Sequence, residues 1–305
     1  MSEPLVSVLV PLYNHEKYIE ACLASIAAED YPNLELILLD DGSRDGSFAL
    51  ASAWIEAHRE RFARVQARTQ PNAGICRTAN RLLQEARGAY IAFVASDDAL
   101  KPGGLRARVE HLERHPGLLA VIGDAEAIDD QGRTLALSTI QDIHRGSRRT
   151  LAHPGRITRE LILRWSIPGP VMLGRRAAWD PVLGAGSYDE TLALEDRDFY
   201  LRLLALGALG FLDRSVARYR IHSLNSCRRP SGDPDLGSLQ NLIAADIKKS
   251  SAINLHRFKG LDRFLLALVI ANDRYREPRK ALRYRLTRNL MQLFRAMNRA
   301  GLLGR

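Results

Sequence analysis

Apolar runs and helical stripes alternate along the first two thirds of the chain. Val6 to Leu12 is nearly all apolar, with Pro11 near its end. It reads as a parallel strand buried on both faces, closing in Tyr13-Asn14. Tyr18 to Ala27 sets Ile19, Cys22, Leu23 and Ile26 at helical spacing. Leu34 to Leu39 is a second strand, running into Asp40-Asp41-Gly42-Ser43, and Asp45 or Ser47 then caps a helix to about Phe62. Val65 to Thr69 gives a short third strand. A helix follows from Asn72-Ala73-Gly74 through Glu85 and stops near Gly88. Ala89 to Ala95 suits another doubly buried strand and ends in Ser96-Asp97-Asp98. Pro102 opens a helix that closes near His115-Pro116-Gly117.

The second half is less regular. Leu118 to Ile128 reads as a strand, Asp129-Asp130-Gln131-Gly132 as a turn, and Arg145 to Arg164 as a basic loop with a short helix that could cross a cleft. Gly169 to Leu173 and Gly210 to Tyr219 read as strands, and the stretch after Asp196 as a buried helix stopped at Gly207. Arg228 to Gly237 has linker composition, and helical pattern then continues to the end, interrupted at Pro278. Strand–helix repetition with short connections predicts an α/β fold: a Rossmann-like, mostly parallel sheet flanked by helices, with a helical C-terminal extension.

Three strands end in polar residues: Tyr13-Asn14, Asp40-Asp41 and Asp97-Asp98. In open α/β sheets ligands bind outside the carboxyl ends of the strands. Paired carboxylates there suit a hard divalent ion that shares a substrate's phosphates. The competing reading is a solvated turn, which Asp also favours.

Charge changes the picture only at the tail. The net charge is +9, but residues 256–305 carry thirteen Lys and Arg against three Asp and Glu, so the rest nets about minus one. Leu282, Leu286, Leu290, Leu293, Phe294 and Met297 fall on one helical stripe there, with Arg285, Arg288, Arg295 and Arg299 largely opposite. Such a basic amphipathic helix suits an anionic membrane surface; packing on the body, or on a second copy in a homodimer, is the alternative. Cys22, Cys76 and Cys227 show neither metal nor disulfide spacing, which fits a reducing cytoplasm. Met1 to Pro4 has no signal-peptide character, and the longest apolar run, Phe264 to Ala271, is too short to span a bilayer. A cytoplasmic protein is expected, peripheral on the inner membrane face if the tail binds lipid. No nucleic-acid module accompanies the basic tail.

Six segments together resemble the family-2 glycosyltransferases: residues 6–14, 38–47, 72–75, 95–98, 194–203 and 219–222, that is Val-Ser-Val-Leu-Val-Pro-Leu-Tyr-Asn, Leu-Leu-Asp-Asp-Gly-Ser-Arg-Asp-Gly-Ser, Asn-Ala-Gly-Ile, Ala-Ser-Asp-Asp, Leu-Glu-Asp-Arg-Asp-Phe-Tyr-Leu-Arg-Leu and Tyr-Arg-Ile-His. The resemblance covers about residues 5 to 226. It implies the GT-A fold and an inverting, nucleotide-sugar-dependent transferase of cell-surface polysaccharide or lipopolysaccharide synthesis. The division it implies is a catalytic domain over 1–227, with a nucleotide-binding half (1–117) and an acceptor-binding half (118–227), followed by the extension 228–305.

The resemblance also implies roles. Asp98 would ligate the cation, Mn2+ or Mg2+, with His222 completing the shell, and Asp97 would hold the ribose or assist the metal. Asp40 would accept from the N3–H of a pyrimidine, favouring a UDP- or dTDP-sugar. Pro11, Tyr13 and Asn14 would wall the base pocket, with Asn72 on the donor side. Asp196 would take the proton of the acceptor hydroxyl, on a glycan or lipid-linked acceptor, and Glu195 would orient it. Asp198 would pair with an arginine; Asp41 reads as a turn and cap residue. Arg197, Arg202 and Arg220 are candidates for the pyrophosphate.

Two other readings compete. A nucleotidyltransferase would want a glycine-rich phosphate loop, which residues 10–17 lack. A non-catalytic nucleotide-sugar-binding protein should have lost Asp98 or Asp196, and both are present. No G-x-G-x-x-G follows the first strand, which disfavours a dinucleotide enzyme.

Overall fold

Burial of the apolar runs sets the architecture. In a computed structural model, which describes residues 3–193, 196–223, 225, 236–272 and 281–303, the first two strands are β1 (Val6–Leu12) and β2 (Leu34–Asp40). Nearly every side chain of both is buried, as expected of strands covered on two faces. A fully buried Val, Leu or Ile contributes about 1.5–3 kcal/mol. Between them lies α1 (Ile19–Ala27), burying the stripe Ile19, Cys22, Leu23 and Ile26. Next come α2 (Ser47–Ala57), β3 (Arg64–Thr69), α3 (Ile75–Glu85) and β4 (Tyr90–Phe93). After β4 follow β5 (Ala99–Leu100), α4 (Gly104–Arg114), β6 (Ala120–Ile128) and β7 (Thr134–Ala136). Then come α5 (Arg148–Leu151), α6 (Ile157–Leu163), β8 (Met172–Arg175), α7 (Asp196–Ala205) and β9 (Leu209–Arg220). The chain closes with α8 (Leu236–Asn254), α9 (Gly260–Ala271) and α10 (Ala281–Ala300).

One sheet runs in the order β3-β2-β1-β4-β8-β6-β9-β5, with β7 on β6. The β3-β2-β1-β4 half is parallel, so the carboxyl ends of these strands share one edge. The other half is mixed. β8 runs antiparallel to both β4 and β6, while β6 and β9 are parallel. The sheet is therefore less parallel than the strand–helix repeat predicts, because β8 enters antiparallel between β4 and β6, and β5 and β7 pair antiparallel at the far side.

Strand β4 is shorter than the apolar run 89–95. Val94 N–H still bonds Leu9 O (3.0 Å), but Asp98 N–H turns back to Ala95 O (3.0 Å) and ends the strand. Residues 148–163 form two short helices, and α6 packs under α9 and α10 rather than across a cleft.

The C-terminal helices pack on the body. Arg159 of α6 pairs with Asp262 of α9 (2.8 Å), and Asn298 of α10 donates to Arg156 O (3.2 Å). Helix α8 lies on α7: Asn254 donates to Asp198 (2.6 Å) and Arg197 to Ser251 Oγ (3.1 Å). The apolar stripe of α10 is covered only in part. The helix buries Thr287, Met291 and Asn298, and leaves Leu286, Leu290 and Leu293 exposed. Phe294 and Met297 are half-buried, and the side chain of Leu282 lies outside the described residues. Among the described residues no helix is long and apolar enough to cross a membrane.

Candidate functional site

The carboxyl ends of β1, β2 and β4 are tied to one another. Asn14 takes a left-handed conformation (φ 53°), so the chain leaving β1 bends over the end of β2. There Asn14 N–H donates to Ser43 Oγ (2.8 Å) and Arg44 N–H to Asn14 Oδ1 (2.8 Å). One residue on, His15 N–H donates to Ser47 Oγ (2.8 Å), and the His15 ring meets β4's turn, with Nδ1 2.8 Å from Ser96 Oγ. Gly42 is required in this weave: its φ is +78°, and a Cβ would lie 3.0 Å from Asn72 N.

Asp40 is buried at the end of β2. Its carboxylate accepts from Ser43 N–H (3.2 Å) and Thr69 Oγ1 (2.8 Å). Asp41 accepts from Ala73 N–H (2.8 Å), Gly74 N–H (2.9 Å) and Gln70 Nε2 (2.7 Å), so it fixes the start of α3, the structural role expected of it. Pro11 is half-buried, whereas Tyr13 and Asn72 are exposed beside this weave.

The two aspartates after β4 have different surroundings. Asp97 Oδ2 lies 3.0 Å from His222 Nε2, 3.1 Å from Asn225 Nδ2 and 3.8 Å from His15 Nε2. Asp98 Oδ1 accepts the N–H of Arg220 (2.8 Å), and its Oδ2 faces Gly169, where a Cβ would sit 3.6 Å away. Burial would raise the pKa of Asp97, but the His222 bond and the nearby His15 outweigh it and hold it low. For Asp98, burial and then the Asp97 charge push the pKa far up. The two adjacent buried carboxylates thus oppose each other's ionisation. Burial lowers the pKa of His15 more than Asp97 raises it, which leaves the imidazole neutral and able to ligate.

The groups placed to hold a metal ion are therefore His15, Asp97 and His222, whose donor atoms all lie within 4.8 Å of one another. Asp98, expected as the direct ligand, lies on the other side of the turn at Ala95–Asp98, with Oδ1 on Arg220 N–H. Two imidazoles and a carboxylate are a fitting donor set for a divalent cation. A cavity of about 670 Å³ opens beside them, lined by Asn14, His15, Tyr18, Asp130, Arg133 and His222 among others. Of the expected site residues that are described, Asn14 and His222 line it. Tyr18 donates to Asp130 and lies against the His222 ring (centroids 4.7 Å apart), closing one wall.

Asp196 opens α7. The segment before it packs on α3, where Cys76 Sγ donates to Leu192 O (3.3 Å) and Asn80 Nδ2 to Tyr188 O (3.0 Å). Withdrawal from water pushes the Asp196 carboxyl up to about 6; Arg197 opposes the shift and Asp246 of α8 adds to it. Glu195 lies outside the described residues.

The three candidate arginines for a pyrophosphate are occupied within the fold. Arg220 donates to the carbonyls of Asp97 (2.8 Å), Asp129 (2.9 Å) and Asp130 (3.2 Å), clamping the β6–β7 turn to the end of β4. Arg202 pairs with Asp198 (2.7 Å), the partner expected for that acid, and Arg197 lies buried against Trp165 and Ser251. Sequence reasoning missed His15, Tyr18 and Asp130. A histidine directly after a polar strand end was the available signal for the first; the other two come together only through the β6–β7 turn.

Residues 7–176 match the family model described as Glycosyl transferase family 2. Over 215 residues the chain is 30% identical to the EpsE protein of Bacillus subtilis (strain 168), covering 69% of this chain and 70% of that one. Its backbone is similar to the mannosyltransferase PcManGT from Pyrobaculum calidifontis in complex with GDP-Man and Mn2+. The TM-score is 0.63 at 18% identity, covering 98% of this chain and 86% of that one. It is also similar to S. aureus TarS 1-349 in complex with UDP-GlcNAc, with a TM-score of 0.61 at 17% identity over 95% of this chain and 81% of that one. These two likenesses bear on the fold, which is of the GT-A kind.

Proposed function

This chain belongs to glycosyl transferase family 2 and is a transferase, and from that premise we propose that it moves a sugar from a uridine or thymidine diphosphate donor to a hydroxyl, with inversion at the sugar. The acceptor is a cell-surface glycan or its lipid-linked precursor. The observation that carries this reading is the meeting of the ends of β1, β4 and β9, which brings Asp97 and His222 to 3.0 Å beside an open cavity.

The geometry supports the following roles. Asp40 is fixed by Ser43 and Thr69 and accepts an N–H from the base; Tyr13, 42% exposed, is free to lie against it. Asp97 and His222, rather than Asp98, hold a divalent cation, manganese or magnesium. The chemistry a cation supplies there is neutralisation of the charge that grows on the departing diphosphate. Asp98 stays on Arg220 N–H and shapes the turn. Asp196 takes the proton of the attacking hydroxyl, and a pKa raised to about 6 makes it a better base near neutral pH while leaving it ionised.

A thermal-shift screen of nucleoside diphosphates tests the donor. UDP and dTDP with Mn2+ should stabilise the protein and CDP should not. GDP belongs in the screen, because PcManGT is solved with GDP-Man and guanine also offers a ring N–H. Asp196→Asn should cut transfer by about 10²–10⁴-fold while donor binding persists; normal turnover in that variant would remove the base assignment.

The exposed stripe Leu286, Leu290 and Leu293 is assigned to an anionic bilayer surface, supported by the tail's surplus of ten positive charges. Arg295 and Arg299 contribute less to it than their number implies, since both bond the body, at Leu163 O and Arg145 O. Binding to anionic but not neutral vesicles, lost in Leu290→Glu/Leu293→Glu, is the expected result. A lipid-independent dimer broken by the same change would give the stripe to a second copy.

A further inference from the structure

We propose that His15 is a third protein ligand of the cation, so that the chain offers two imidazoles and one carboxylate and favours transition-series ions over magnesium. The inference rests on the cation site proposed above and deepens it.

Three observations carry it. The first is distance. Neighbouring ligands on an ion with bonds of about 2.1 Å lie about 3.0–3.4 Å apart. Asp97 Oδ2 is 3.0 Å from His222 Nε2 and 3.8 Å from His15 Nε2, and all three donors fall within 4.8 Å. Side-chain adjustments of under about 1 Å would gather them on one ion.

The second is the way His15 is held. Its N–H is fixed by Ser47 Oγ (2.8 Å), and its Nδ1 by Ser96 Oγ (2.8 Å). The ring therefore presents Nε2 to Asp97, and Ser96 acts as the outer partner that orients a ligating histidine. The His15 and His222 rings stand nearly perpendicular (88°), with centroids 5.7 Å apart, so neither blocks the other.

The third is the opening. Both histidines line the cavity together with Asn14, Lys17 and Tyr18. The remaining positions of an ion held by His15, Asp97 and His222 would face that space, where diphosphate oxygens enter. Magnesium prefers an all-oxygen shell, whereas imidazole suits the transition ions. A second histidine should therefore set ion preference as well as affinity.

The test uses the full chain without nucleotide. Binding of Mn2+ is followed by the electron paramagnetic resonance of the free ion, and binding of Co2+ by its visible absorption. Mg2+ is measured as a competitor. Wild type should bind one Mn2+ and one Co2+ at the same site, with Mg2+ competing only at about 100-fold higher concentration or more. His15→Ala should weaken Mn2+ at least about tenfold, narrow the gap to Mg2+ and change the Co2+ spectrum. His15→Gln preserves a side chain of similar reach and serves if the alanine variant folds poorly; it should behave as the alanine variant does.

Unchanged Mn2+ affinity and Mn2+/Mg2+ preference in both variants would overturn the inference. So would a defect seen only when UDP is present, which would make His15 a diphosphate contact while leaving the cation on Asp97 and His222. Failure of the underlying reading looks different: wild type would then bind no divalent ion, with or without nucleotide.

Discussion

The two edges of the sheet treat buried carboxylates in opposite ways. At the amino edge, Glu35 of β2 is fully buried and fully used. It accepts from Ser7 Oγ, Arg87 N–H, Gly88 N–H (3.1 Å) and Arg64 Nη1 (2.7 Å). Gly88 is needed for this, since a Cβ there would lie 2.5 Å from Ser7 N. Burial alone would raise the pKa of Glu35, yet the donors lower it. At the carboxyl edge, Asp98 is as deeply buried but takes one N–H and sits beside a second carboxylate, and its pKa rises. The difference is donor supply. Four donors make a buried charge a structural fixture; one donor and a like charge leave a site that gains from an incoming cation.

The contrast is sharpest under substitution. Asp97→Asn should lower Mn2+-dependent UDP affinity by at least about 100-fold, beyond the effect typical of outer partners. Its thermal stability should fall, because the ionised Asp97 is held by His222 and Asn225, whereas Asp98→Asn neutralises the acid whose pKa is raised and should hold or raise stability. Calorimetric titration and melting curves on the two variants check both, and a collapse of stability in Asp98→Asn would put Asp98 in the class of Glu35. Glu35→Gln should do the reverse. It leaves buried backbone N–H groups facing an amide, costing roughly 2–3 kcal/mol in denaturant unfolding, with turnover per folded molecule unchanged.

Acidification separates the edges next. Asp196 must be ionised to accept a proton, so kcat/KM should fall below a midpoint near 6. Glu35 has a depressed folded pKa, so its stabilisation is present above about 4.5 and is lost as pH falls through the folded value. Activity should thus fail while the fold stands; simultaneous loss would erase the distinction. The smallest effect is expected from Asp246→Asn on α8. Removing that like charge should move the activity midpoint to lower pH by roughly half a unit or less, with little change in the plateau rate.

Much of this was legible in the sequence, for physical reasons. Doubly buried strands need apolar runs, so Val6–Leu12 and Leu34–Leu39 announced themselves, and acids at their ends were anomalous enough to mark the edge. Which of Asp97 and Asp98 faces His222 was not legible, because a one-residue difference in a turn reverses direction. The tail shows the limit of periodicity. Its leucine stripe is real, but α10 buries the neighbouring face because Thr287 and Asn298 find partners in Asn272 and Arg156. The contribution of α8 to Asp196 was hidden for a similar reason: Asp246 and Asp196 are fifty residues apart in sequence and meet only through helix packing.

The most direct test of the account is anomalous scattering from crystals of the protein grown with Mn2+ and UDP. The account predicts one manganese peak within about 2.3 Å of Asp97 and His222, with the diphosphate on its cavity side and the uracil at Asp40. A peak held by Asp98 on the Gly169 side, or UDP bound with no metal near Asp97, would contradict it.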